Sequence, residues 1–120
     1  MSDGTASDLL AKWVAAMEKY DYDFIMNMYH DDAVLLGTFS DIQRVGHRQI
    51  MEYLHNPSKS PVRIIIVTQK EYRVDSVMVI SGLYDFVIDD KTINARFSIM
   101  FSKRNNEWRI LSHHSSVLPR

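Results

Sequence analysis

The chain has no cysteine at any of its 120 positions. Disulfide staples and thiol nucleophiles are excluded, while the redox compartment stays open. It has no basic stripe either: 14 Lys and Arg are interspersed with 15 Asp and Glu, for a net charge of −1. Binding along a nucleic acid by phosphate neutralisation is therefore not expected. No apolar run approaches the roughly 18 residues of a membrane helix, so no membrane partner is expected. The opening MSDGTASD lacks the apolar segment of a secretory signal, and a cytoplasmic location is the default expectation. There is no Gly-rich phosphate loop, no dinucleotide fingerprint and no defensible Ser-His-Asp spacing, so no cofactor is expected.

What is present is an ordinary globular composition, 46% hydrophobic and 24% charged, enough for one core and one domain over residues 1–120. The most regular stretch is a C-terminal hairpin, Thr92 to Ser116, turning at Asn105-Asn106 because Asn tolerates positive φ. Ala95, Phe97, Ile99 and Phe101 share one face of its first strand; Asn94, Arg96, Ser98 and Ser102 share the other. The second strand runs from Trp108 to Ser116.

Upstream, Ser7 or Asp8 is the expected cap of a helix reaching about Tyr20, with Leu9, Leu10, Trp13, Val14, Met17 and Tyr20 as its apolar stripe. A short helix follows over Phe24 to His30, with Phe24, Ile25, Met28 and Tyr29 inward. Asp31-Asp32 reads as a turn, Ala33 to Phe39 as a strand, and Ser40 to Gly46 as a polar connection. Gly37 marks a bulge or a close approach. A third helix spans His47 to His55 and is stopped at Asn56-Pro57. Val62 to Tyr72 and Ser76 to Ile88 are further strands. Helices first and an antiparallel meander afterwards is an α+β order.

The middle strands are apolar on both parities. Ile80, Tyr84, Phe86 and Ile88 oppose Val77, Val79, Leu83 and Val87. One layer of three short helices covers only one face of a sheet. The uncovered face predicts self-association, as a homodimer or a larger ring.

The pieces Trp13, Tyr29-His30-Asp31-Asp32-Ala33-Val34-Leu35 with Thr38, Gly46, Gly82 to Phe86, Ala95 to Ser98, and Trp108 through His113-His114-Ser115-Ser116 to Pro119 carry a resemblance. In this order they resemble the nuclear transport factor 2-like superfamily, SnoaL-like set. Within it the chain is most similar to small bacterial proteins akin to the association domain of calcium/calmodulin-dependent protein kinase II. The resemblance implies a cone-shaped curved antiparallel sheet packed on three helices, with a pocket between them. It implies an assembly or pocket module, with a small organic ligand as partner besides a second copy. The alternative it implies is an isomerase, cyclase or dehydratase acting on a hydrophobic carbonyl compound by acid–base catalysis. Where the kinase domain carries pocket arginines, this chain has Met51 and Ile99, which speaks against a carboxylate-binding pocket of that type.

Adjacent strand residues point to opposite faces, so His113 and His114 cannot share one metal without a bulge, and no metal site is expected. Trp108 and Ile110 are the expected core pair of the last strand. That parity turns His114 inward and leaves His113 with Arg109 outside. The expected pocket residues are His114, Tyr84, Thr38 and Tyr29. Arg96 is a weaker addition, a fork of donors that suits either a carboxylate or a subunit contact. Asp85, the one carboxylate among apolar strand residues, is expected at the interface face, and Tyr84 toward the helices.

Overall fold

The structure, a computed structural model, describes residues 5–55 and 60–119. Three helices, α1 (Ala6–Lys19), α2 (Tyr22–Met28) and α3 (Gly46–Leu54), pack on one six-stranded sheet. The strands are β1 (Tyr29–Leu36), β2 (Arg44–Val45), β3 (Val62–Val74), β4 (Val77–Ile88), β5 (Lys91–Arg104) and β6 (Glu107–Val117). Their order across the sheet is β2-β1-β6-β5-β4-β3. The α+β cone fold expected from the sequence is present. The sheet is open, and it is mixed rather than wholly antiparallel as expected, because β1 runs parallel to β6 while the other pairs are antiparallel.

Local chemistry sets the element ends. The cap of α1 is Thr5, not Ser7 or Asp8: its hydroxyl accepts from the Asp8 amide while the Asp8 carboxylate accepts from the Thr5 amide. This reciprocal box satisfies two amides that a helix start leaves unpaired. Tyr20 ends α1 in a left-handed conformation at φ 56°. The second helix stops at Met28, and Tyr29 and His30 already belong to β1. Asp31 and Asp32 are exposed strand residues rather than a turn, within a stretch where the β1–β6 register shifts. Phe24, expected inward, is 43% exposed. The connection after β1 carries the short strand β2. The proposed stop at Asn56-Pro57 lies outside the described residues; within them α3 ends at Leu54.

The Asn105-Asn106 turn matches expectation. Asn105 and Asn106 both have positive φ, 52° and 64°, as do Asp89 and Asp90 at 49° and 65°. Residues with short polar side chains tolerate this conformation, which matches the twist of the flanking strands.

Besides the shift in the β1–β6 pair, two register shifts shape the sheet. One lies in β3 between Ile66 and Thr68, leaving Val67 as the extra residue. A bulge of this kind bends its strand, and beyond it Gln69 and Glu71 reach Ser7 at the start of α1. Gly82 sits opposite this bulge. A β-carbon there would lie 2.0 Å from the Thr68 carbonyl oxygen and 2.8 Å from its carbon, both backbone atoms of the paired strand. Gly82→Ala should therefore destabilise the fold by at least the ~1–3 kcal/mol typical of overpacking. A melting temperature within a degree of the parent would contradict this.

The core fills the concave side, where α1 and α2 bring Leu10, Trp13 and Ile25 against Tyr84, Ile80, Phe97, Ile99 and Phe101. The alternation expected of β4 holds: Ile80, Tyr84 and Phe86 are buried, while Val77, Val79, Leu83 and Val87 on the convex face are half-buried.

Candidate functional site

A cavity of about 190 Å³ opens between α1, α3 and the concave sheet. Its walls are largely apolar, from Met17, Leu35, Leu54, Val62, Phe86 and Ile88. Polar groups enter from the strands: Thr38 just past β1, Tyr84 on β4, and His113 and Ser115 on β6.

These groups form one hydrogen-bonded chain. The Trp13 indole N–H donates to the Tyr29 hydroxyl at 3.1 Å. That hydroxyl lies 3.0 Å from His113 Nδ1. His113 Nε2 faces the Tyr84 hydroxyl at 3.5 Å, a long contact. Tyr84 donates to Ser115 Oγ at 2.5 Å, and Ser115 in turn is bonded to the Thr38 hydroxyl. An indole can only donate. The Tyr29 oxygen therefore accepts from Trp13, and the arrangement that gives every member of the chain a partner sends its own hydrogen to His113 Nδ1. The His113 proton is then on Nε2, directed at Tyr84.

Burial sets the charge state. His113 is 3% exposed. Desolvation, aided by neighbouring His114, pushes its pKa from 6.5 down to about 3, so it is neutral at physiological pH. Burial likewise holds the Tyr29 and Tyr84 hydroxyls far above their ordinary range, and raises that of Tyr53. Among the described residues no Asp, Glu, Lys or Arg lines the cavity. Aromatic packing fixes the chain: Trp13 stacks on Tyr84 at 6.3 Å and meets the His113 ring edge-on at 5.3 Å.

The mouth is built by Gly37 and Tyr53. A β-carbon on Gly37 would lie 2.3 Å from Tyr53 Cζ, so only glycine lets the phenol lie across this backbone. Gly37 is the close approach that the sequence suggested. The Phe39 amide donates to the Tyr53 hydroxyl at 3.0 Å, and the Arg44 guanidinium sits 5.8 Å from the ring centroid.

Of the five expected pocket residues, Thr38 and Tyr84 line the cavity and Tyr29 stands fully buried behind His113. The other two lie outside this cavity and line a separate hollow on the convex face, Arg96 by its own strand parity and His114 against expectation. His114 is exposed on the convex face, and Arg96 lies beside it, donating from Nε to Ser116 Oγ at 3.0 Å. The reason is the second register shift, in the β5–β6 pair. Phe101 pairs with Ile110 but Met100 pairs with Ser112, so Leu111 is extra. One extra residue flips every later side chain. His113 and Ser115, not His114, therefore share the inner face with Ile110. Asp85 is on the convex side as expected, where it accepts from the Asn94 amide at 2.8 Å. His30 is buried against Ser102, and His47 donates from Nε2 to the Tyr29 carbonyl at 2.7 Å. Among the described residues no three His, Asp or Glu side chains gather to hold a metal ion, and no helix is long and apolar enough to cross a membrane.

Comparison with known proteins agrees with this architecture. The family model for the SnoaL-like domain matches residues 6–119. A solved structure from Xanthomonas campestris, provisionally assigned as a calcium/calmodulin dependent protein kinase II association domain, is similar with TM-score 0.89 and 25% identity, over 100% of this chain and 99% of that one. A protein of the nuclear transport factor 2-like family from Streptomyces avermitilis, provisionally named a dehydratase, is similar in fold with TM-score 0.87 and 8% identity, over 97% and 95% of the two chains. A provisionally named ketosteroid isomerase from Parabacteroides distasonis gives TM-score 0.76 and 15% identity, over 92% and 83%. No curated protein matches the sequence. With the match covering nearly all of its length, the chain belongs to the SnoaL-like domain family.

Proposed function

We propose that the chain is a self-associating module whose cone holds a small apolar organic molecule. The observation that carries the ligand is the ≈190 Å³ cavity, apolar-walled and crossed by a wholly neutral hydrogen-bond chain. Apolar cavities of about 150 Å³ take up benzene, so a fused bicyclic molecule is the right size. The test is calorimetric titration with tetralin, alongside Val62→Phe, which fills the cavity from β3. The parent should bind and the variant should not. Absence of heat up to the solubility limit of tetralin, or equal binding by Val62→Phe, would overturn the reading.

The rival reading is an isomerase, cyclase or dehydratase acting on a hydrophobic carbonyl compound. The names of two similar structures favour it. The cavity's chemistry opposes it. Proton abstraction needs a base whose pKa lies near the working pH, and here no carboxylate among the described residues lines the site and His113 sits at about 3. Binding is the better supported of the two.

Self-association rests on the convex face. Ile65 and Val67 are 40% and 53% exposed there, beside half-buried Leu83, with half-buried Val79 further along β4. A second copy of the same sheet would cover them, in keeping with the association-domain assignment of the Xanthomonas protein. Sedimentation at micromolar concentration should give a dimer or larger. Leu83→Asp should dissociate it, because a charge buried at an interface is costly. A clean monomer mass for the parent would end this part of the proposal.

A further inference from the structure

We infer that the hollow in the middle of the convex face binds a phosphate-type oxyanion, free or carried by a small ester. The site is separate from the cavity, and nothing in it depends on what the cone holds.

The register of the last three strands builds it. Across β4, β5 and β6, Ser81, Ser98 and His114 stand in one row, and Leu83, Arg96 and Ser116 stand in the next. Residues two apart on a strand share a face, so Arg96, Ser98, His114 and Ser116 mark the corners of a rectangle of roughly 5 by 7 Å. They line a hollow of about 240 Å³. Phe97, whose side chain is buried on the concave side, forms its floor. The Leu111 bulge that turns His113 inward is what delivers His114 to this corner.

Charge and donors then converge on the hollow. Arg96 is anchored by its Nε–H, which donates to Ser116 Oγ at 3.0 Å, and this leaves its two Nη groups as a fork. Among the described residues Arg96 makes no ion pair. One carboxylate stands in the adjacent row, Asp85, and it accepts from the Asn94 amide instead. Among the described residues no Asp or Glu lines the hollow. The Ser81 hydroxyl lies 3.0 Å from Ser98 Oγ and steadies it from β4. Lys70 ends the same row on β3, a second cation on this face. An arginine fork pairs bidentately with a carboxylate or a phosphate. A planar carboxylate is used up by the fork. A tetrahedral phosphate keeps further oxygens for Ser98, Ser116 and His114. Arg96, Ser98 and His114 are exposed to water, so the site exchanges freely and its expected affinity is about millimolar.

The experiment is a nitrogen–proton correlation NMR titration of the intact protein, with sodium phosphate replacing sodium chloride at pH 7 and constant ionic strength. The expected result is a saturable shift of the Arg96 Nε–H and of the amides of residues 96–98 and 114–116. Arg96→Gln, a change at an exposed position, should weaken it at least ten-fold. Acetate, which can fill only the fork, should bind at least three-fold more weakly than phosphate. Phenyl phosphate separates the two sources of the group: tighter binding than inorganic phosphate assigns the site to an ester, equal binding to the free ion. No saturable shift in the parent, or the same shift in Arg96→Gln, would overturn the inference. Acetate equal to phosphate would overturn the assignment of the anion. The same face is the one proposed to meet a second copy, and sedimentation in these buffers keeps the two apart. A monomeric parent that saturates with phosphate upholds this site and ends the self-association reading. A parent that self-associates and takes up no phosphate, with Arg96→Gln monomeric, does the reverse: the guanidinium then meets the second copy, and the inference is overturned.

Discussion

Trp13→Ala should cost about 3–5 kcal/mol of folding stability, the range for truncating a large buried aromatic. Trp13 is 2% exposed on α1, in the face that packs against β3 and β4. Its ring covers Tyr84 and the edge of His113, and its N–H starts the hydrogen-bond chain. Alanine removes the stacking surface and leaves Tyr29 without its donor deep in the core. Trp13→Phe separates the two effects. It keeps much of the apolar volume but lacks the N–H, so it should cost only the ~1–3 kcal/mol of an unsatisfied buried group plus a smaller packing loss. Urea unfolding of both variants checks this. A Trp13→Ala protein within about 1 kcal/mol of the parent would place the indole outside the core.

The second large effect is acid sensitivity. In the folded state His113 resists protonation down to about pH 3, whereas in the unfolded chain its pKa is near 6.5. Above pH 6.5 both states carry it neutral, and it contributes no pH dependence. As pH falls below 6.5 the unfolded chain takes up a proton that the native state excludes. Stability then drops by about 1.4 kcal/mol per pH unit, levelling off near pH 3 after a loss of roughly 4–5 kcal/mol. Other groups titrate in the same window, among them Asp32, whose carboxyl the Arg104 guanidinium holds below its ordinary value. The informative quantity is therefore the difference between parent and His113→Gln. The variant should be less stable at pH 7, where it disturbs the chain, and should lose stability more slowly between pH 6 and 4. Parallel slopes for the two proteins would show that His113 takes up its proton in the native state.

Much of this architecture was legible in the sequence because it rests on local rules. The doubly apolar pattern of β4 put Tyr84 and Ile80 inside and Leu83 outside, and both agree with the structure. The Asn105-Asn106 turn followed from tolerance of positive φ. Gly37 signalled the close approach of Tyr53. The site was harder, for one physical reason. Period-two reasoning carries a strand's facing from one end to the other only while the register is unbroken. In β6 the extra residue Leu111 breaks it, so counting from Trp108 and Ile110 put His114 inside and His113 outside. The adjacent apolar pair Ile110-Leu111 is the signal that could have exposed the break, since strict alternation does not place two such residues together. Ser115 and the donor role of Trp13 were missed with it, because both depend on which histidine enters the core. Arg96 illustrates the complementary limit: its parity opposed Phe97 and Phe101 throughout, and the structure keeps it on the convex face.

Everything said about the cavity depends on His113 being neutral, with its proton on Nε2 and its Nδ1 lone pair accepting from Tyr29. The measurement that tests this most directly is the pair of ring nitrogen-15 shifts of His113, followed by two-bond nitrogen–proton correlation NMR from pH 7 to pH 5. One pyridine-type nitrogen at Nδ1 and one pyrrole-type nitrogen at Nε2, unchanged across that range, is the predicted result. An imidazolium signature by pH 5, or the proton on Nδ1, would contradict the account.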